Sequence, residues 1–146
     1  MIEFAKNDGG RAAAGFKGTT GDCVCRAVAI ASGRPYAEVY ARIQSERKTE
    51  RRQPKTGKKS SARTGVFTNR KWFRDYMTEL GFEWVSCMGI GTGCQVHLRS
   101  DELPMGRLIV SLSRHYAAVI DKVLCDSYDS SRDGTRCVYG YWRLKQ

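Results

Sequence analysis

The run Cys-Val-Cys-Arg-Ala-Val-Ala-Ile-Ala-Ser at residues 23–32 constrains this chain more than any other segment. Its residues are small or branched and apolar on nearly every side, with Arg26 the one charge. A helix of that kind cannot lie on a surface and must be covered by other elements on several sides. Asp22 is a good N-cap for it, and Ser32-Gly33-Arg34-Pro35 supplies a stop and a Pro suited to the first turn of the next helix. Cys23 then falls at the helix N-terminus, where the positive end of the dipole favours thiolate over thiol.

The remaining sequence holds the elements that can cover this helix. Tyr36, Val39, Tyr40 and Ile43 recur at helical spacing, predicting a second helix to about residue 44. Trp72, Phe73, Tyr76, Met77 and Leu80 form the stripe of a third, capped by Thr68 or Asn69 and closed by Gly81. From residue 82 the pattern changes to strands, predicted at 82–87, 94–98, 107–113, 115–120, 123–128 and 137–142. Residues 1–21, Gly-rich and polar, read as an irregular arm. Helices first and strands last predict an α+β fold, with N-terminal helices packed on a C-terminal antiparallel sheet. At 146 residues the chain suits a single domain with a real core.

The formal charge of +10 is concentrated. Between residues 44 and 64, Arg47, Lys48, Arg51, Arg52, Lys55, Lys58, Lys59 and Arg63 face only Glu46 and Glu50, with no large apolar side chain among them. The segment reads as a basic, flexible insertion, and as a surface it suits nucleic acid or an acidic protein. No apolar run approaches the roughly 18 residues that argue for a membrane span, and the N-terminus lacks a basic region followed by an apolar stretch. The expectation is a cytoplasmic protein with no membrane partner. In a reducing cytosol most of the six cysteines are expected to be free, small, buried apolar residues.

Metal and cofactor signals are weak, so neither is expected. Cys23-x-Cys25 is not the Cys-x2-Cys knuckle of a zinc site. Asp126, Asp129 and Asp133 loosely suggest a calcium loop but miss the EF-hand spacing and its final Glu. Gly89-Ile-Gly-Thr-Gly93 has no following Gly-Lys-Ser/Thr and reads as a tight turn or a cleft lip rather than a phosphate loop.

Two histidines remain. His97 reads as structural, with a second-base role as its alternative. His115 opens the strand predicted at 115–120. A two- or four-residue hairpin loop centred on Asp121-Lys122 sets His115 opposite Tyr128 and Asp126 opposite Ala117, so that Asp126 lies diagonal to His115 on one face. Asp121 and Asp129 have the wrong parity, and a three-residue loop would reverse the assignment. A thiol at a helix start, a neutral imidazole within reach and an acid to hold the ring are the parts of a cysteine nucleophile.

In this order, a cysteine on an early buried helix, a histidine on a later strand and an acid on the next, the chain resembles the papain-like cysteine peptidase superfamily. More narrowly, residues 21–31, 106–110 and 133–142 look like small phage and bacterial proteins assigned to that fold. The resemblance implies a papain-like fold, with Cys23 as nucleophile, His115 as base and Asp126 as orienting group. Cys23 is preferred to Cys25 because that superfamily places its cysteine in the first helical turn. Lys17 stands where papain-like enzymes often carry an oxyanion-hole Gln, so the hole would combine the Cys23 amide with Lys17, Thr19 or Thr20. The activity implied is that of a thiol hydrolase cleaving an amide or isopeptide bond of a peptide or protein through an acyl-enzyme on Cys23. An acyltransferase would look the same. The alternative is an inactive papain-like module that binds nucleic acid or an acidic host protein through residues 44–64; a phage-encoded chain would act in the bacterial host cytoplasm.

Overall fold

The computed structural model describes residues 2–15, 23–47, 71–88, 91 and 93–145. Three helices, α1 (Cys23–Ser32), α2 (Tyr36–Arg47) and α3 (Lys71–Glu79), accompany eight strands. The strands are β1 (Glu3–Lys6), β2 (Phe82–Ser86), β3 (Val96–His97), β4 (Arg107–Leu112), β5 (His115–Ile120), β6 (Val123–Asp126), β7 (Cys137–Val138) and β8 (Gly140–Leu144). The architecture is α+β. Six strands form one sheet in the order β1-β6-β5-β4-β8-β2, while β3 and β7 form a separate two-stranded ladder.

The helices begin and end where local chemistry directs. Gly33 takes the left-handed conformation (φ 74°) and its amide returns to the Ala29 carbonyl at 3.0 Å, ending α1. The Pro35 carbonyl accepts the Glu38 and Val39 amides, opening α2. Tyr36, Val39 and Ile43 are buried along one face of α2, as are Phe73, Tyr76 and Met77 along α3. Helix α2 runs through Arg47, three residues past its expected end and into the basic segment. The rest of that segment, Lys48 to Arg63 among its basic residues, lies outside the described residues, as do Asp22, Thr68 and Asn69.

The large sheet is covered on both faces. The three helices pack with Phe82, Ile109, Ala118, Cys125 and Trp142 on one side. Ile2, Leu98, Leu103, Leu108, Val110, Ala117, Val119, Leu124 and Val138 pack on the other. Two-sided burial explains why Leu108-Ile109-Val110 is an unbroken apolar run rather than an alternating one. Helix α1 lies against β5, with small residues (Ala27, Ala31 and Ala118) in that cluster. At its C-terminal end, Arg107 Nη1 donates to the Ile30 and Ala31 carbonyls at 3.2 and 3.3 Å, satisfying helix-end acceptors with a cation.

Two expectations are corrected. The N-terminal arm is not irregular throughout: Glu3–Lys6 pairs parallel with Val123–Asp126, so the sheet is mixed rather than antiparallel. Only four residues long and separated by over 100 residues from its partner, β1 carries no periodic signal strong enough to be read locally. The predicted 137–142 strand is two strands in different sheets, β7 with β3 and β8 between β4 and β2. Most of the six cysteines are free, as expected, four in all, while Cys94 and Cys137 form a disulfide. The pairing of His97 with Cys137 brings together sulfurs 43 residues apart, which no local spacing announces.

Gly140 sits where β8 passes under Trp84. A Cβ there would overlap the Trp84 ring and come 2.9 Å from the Val85 carbonyl oxygen. Gly140→Ala is expected to destabilise the fold by about 1–3 kcal/mol through overpacking. Urea unfolding of the purified variant checks this, with a lower midpoint and an unchanged slope as the expected result.

Candidate active site

Helix α1 and strand β5 run the same way, and their first residues meet. Cys23 hydrogen bonds to His115, and its sulfur also accepts the Tyr116 amide. His115 shares parity with Ala117 and Val119, which pack away from the helices, whereas Ala118 packs beneath α1. Cys23 and His115 reach each other because each is terminal, one opening α1 and the other opening β5.

His115 Nε2 donates to Asp126 Oδ2 at 2.6 Å, leaving Nδ1 for Cys23. The hairpin geometry explains the contact. Asp121 and Lys122 both have positive φ (48° and 66°), making a two-residue loop that pairs Ile120 with Val123 and Ala118 with Cys125. Extending that register brings Asp126 diagonal to His115, as the two-residue loop requires. Tyr128 follows the same parity: half exposed at 51%, its ring lies 5.4 Å from the His115 ring and covers part of it.

The pair is deeply buried, with His115 8% and Asp126 3% exposed. Asp126 accepts three hydrogen bonds: from His115, from the Ser127 amide at 2.7 Å and from the Ser130 hydroxyl at 2.9 Å. Burial pushes its carboxyl up, but His115 and these donors outweigh that and hold it below the usual carboxylate value. For His115, burial favours the neutral ring, yet the hydrogen bonds to Asp126 and Cys23 prevail and raise its pKa from 6.5 to about 9. Burial likewise pushes the Cys23 thiol up. Against it stand His115, the Tyr116 amide and the charge of Arg26, and the net shift is downward. Cys87 and Cys125 shift upward, burial being the leading cause for each. The Cys23 thiol is therefore held below its ordinary value, beside a ring whose protonated form a buried carboxylate stabilises.

The other sequence candidates fall elsewhere. Cys25 is fully buried in the helix-side core. His97, in the β3–β7 ladder, is held by Glu102, whose Oε1 lies 3.2 Å from Nδ1 and accepts the His97 amide. Asp129 bonds the Ser131 amide and hydroxyl and shapes the turn after β6. Among the described residues no group of three or more His, Cys, Asp or Glu could hold a metal ion. Lys17, Thr19 and Thr20 lie outside the described residues, as do seven of the eight basic-patch residues; Arg47 ends α2. No described helix is long and apolar enough to cross a membrane.

Ser130 and Arg26 join the site without being candidates from the sequence. Arg26 stands three residues after Cys23, one helical turn on, so its spacing was a usable signal. Ser130 lies in Asp-Ser-Tyr-Asp-Ser-Ser, where hydroxyls next to carboxylates signal side-chain-bonded turns better than a calcium loop. No protein-family model, curated protein or solved structure matches the chain.

The shifts set the sign of the pH dependence. Because the folded pKa of His115 is raised, its stabilisation is complete below about 6.5 and is lost as pH rises through about 9. Because that of Asp126 is lowered, its contribution is complete above the ordinary 3.8 and is lost as pH falls through the folded value. Denaturant unfolding measured from pH 6 to 10 is expected to show the His115 contribution falling away between about 6.5 and about 9, partly offset by Cys23, whose lowered pKa adds stability as pH rises toward the ordinary thiol value. In Asp126→Asn that alkaline decline is expected to flatten.

Proposed function

We propose that this protein is a thiol hydrolase of papain-like type that opens an amide or isopeptide bond of a peptide or protein substrate. The observation that carries the reading is the continuous hydrogen-bonded line from Cys23 through His115 to the buried Asp126. Its support in the fold is the order in which the parts arrive: cysteine on the first turn of α1, histidine opening β5, acid closing β6, and helices gathered on one face of the sheet.

In this reading the Cys23 thiolate attacks the substrate carbonyl carbon, and the carbonyl electron pair moves to oxygen. The first-turn amides of α1 have no partner within the helix and are the described donors suited to that oxyanion. Collapse of the tetrahedral intermediate breaks the C–N bond, and the leaving amine takes the proton that His115 carries. A thioester to Cys23 remains. His115, now neutral, removes a proton from water as the water attacks the thioester. The second collapse releases the carboxylic acid and restores the thiolate–imidazolium pair. Asp126 keeps Nε2 protonated throughout, so Nδ1 is the atom that exchanges protons with sulfur, amine and water. An amine in place of water would give transfer from the same thioester.

The decisive experiment is alkylation of Cys23 by iodoacetamide against pH, read by mass spectrometry. Two steps are expected: thiolate reactivity appearing below the ordinary thiol value of about 8.5, and a further rise near the His115 pKa of about 9. His115→Ala is expected to leave one step at or above the ordinary value. A wild-type protein with that single step would overturn the hydrolase reading and return attention to binding through residues 44–64.

A second expectation concerns turnover. On an activated acyl ester that acylates Cys23, His115→Ala is expected to lower kcat/KM by about 100- to 10,000-fold, as loss of a general acid–base does. Cys23→Ala is expected to give no thioester adduct at all in intact-mass spectra.

A further inference from the structure

Among the Lys and Arg residues whose side chains are described, Arg136 alone is buried, at 7% exposed. It forms no ion pair among those residues. Its fork grips backbone instead: Nη2 donates to the Ser113 carbonyl at 2.5 Å, and Nη1 to the Ser130 carbonyl at 3.5 Å. These carbonyls belong to the two loops that flank His115 and Asp126. Ser113 lies in the β4–β5 turn, two residues before His115. Ser130 follows β6, and its hydroxyl donates to Asp126.

Arg136 is itself firmly seated. Its amide donates to the Ser131 carbonyl at 3.1 Å, and its carbonyl accepts the Leu98 amide at 2.8 Å. The next residue, Cys137, pairs with His97 and is joined to Cys94. Removing a guanidinium from water without an acid to neutralise it is unfavourable, so a buried arginine here opposes stability unless its hydrogen bonds serve a geometry. A planar fork can hold two carbonyls at a set separation, which a lysine ammonium cannot do in the same way.

We propose that Arg136 is a positioning residue for the reactive pair of Cys23 and His115, clamping the Ser113 and Ser130 carbonyls so that His115 and Asp126 stay aligned. This rests on the reading of Cys23 and His115 as that pair. Arg136 does not touch substrate in this account; it acts through the two loops. Without it, the turn before His115 and the turn after Asp126 are free to separate, and the short His115–Asp126 bond loosens. The features that distinguish Cys23 from an ordinary thiol depend on that bond and weaken with it.

The test compares wild type, Arg136→Met and Arg136→Lys. Lysine keeps the charge but not the fork, and serves as the second variant if methionine prevents folding. Three quantities are read: the pH profile of Cys23 alkylation, the low-field proton resonance of the His115 Nε2–H donated to Asp126, and the thermal unfolding midpoint. In both variants the two alkylation steps are expected to converge, the lower moving up and the upper moving down from about 9 toward 6.5. The neutral-pH rate should fall roughly 10- to 100-fold, as small misplacements of reacting groups do. The low-field resonance should broaden or disappear. Folded variants with the wild-type profile and resonance, and only a lower unfolding midpoint, would overturn the proposal and leave Arg136 a structural residue. The resonance also separates this failure from failure of the hydrolase reading. Were wild-type Cys23 to react as an ordinary thiol, the His115–Asp126 signal would still show whether Arg136 aligns the two.

Discussion

Helix α1 is held along β5 with each end of one tied to the corresponding end of the other, and the site depends on that placement. At the N-terminal ends, Cys23 bonds His115 and the Tyr116 amide. At the C-terminal ends, Arg107, paired with Ile120 of β5, bonds the last carbonyls of the helix. Ten helical residues span about 15 Å, and six strand residues about 20 Å, so the two elements are comparable in length. Alanines at the contact permit close approach, and α2, α3 and the sheet bury the remaining faces. A helix secured at both ends cannot slide, and its first sulfur is therefore delivered to the first residue of the strand.

Burial alone would give a neutral thiol, a neutral imidazole and a protonated acid. Each of the three shifts the other way because its neighbours supply hydrogen bonds and charge at short range in a site with little water. The arrangement is mutually dependent. Asp126 is ionised because His115, Ser127 and Ser130 donate to it. His115 is charged because it lies between a carboxylate and a sulfur. Loss of any one group leaves the others buried without compensation, which is why such sites are held by rigid elements and by the seated loops on either side of them.

Much of this is legible in the sequence. The apolar stripes of Tyr36, Val39 and Ile43 and of Phe73, Tyr76 and Met77 lie on the buried faces that their spacing implies. The strands from Arg107 to Asp126 are local hairpins, so period and turn chemistry determine their pairing, and parity alone selects Asp126 over Asp121 and Asp129. What was not legible is non-local. The parallel docking of β1 on β6, the division of 137–142 between two sheets and the Cys94–Cys137 bond each join segments whose own patterns carry no mark of the partner. Arg136 is of the same kind, since a basic residue in a polar loop reads as solvated until the loops close around it.

The sequence by itself therefore determined the buried helix, its cysteine at the start, the hairpin register and the face shared by His115 and Asp126, because each depends on neighbours a few residues apart. Tertiary structure alone decided that the ends of α1 and β5 coincide. By parity His115 belongs to the sheet face turned away from the helices, and only at the strand end can its ring meet a sulfur that arrives from the other face. That meeting is set by how a helix seats on a strand of comparable length, which is a property of packing and not of any local pattern.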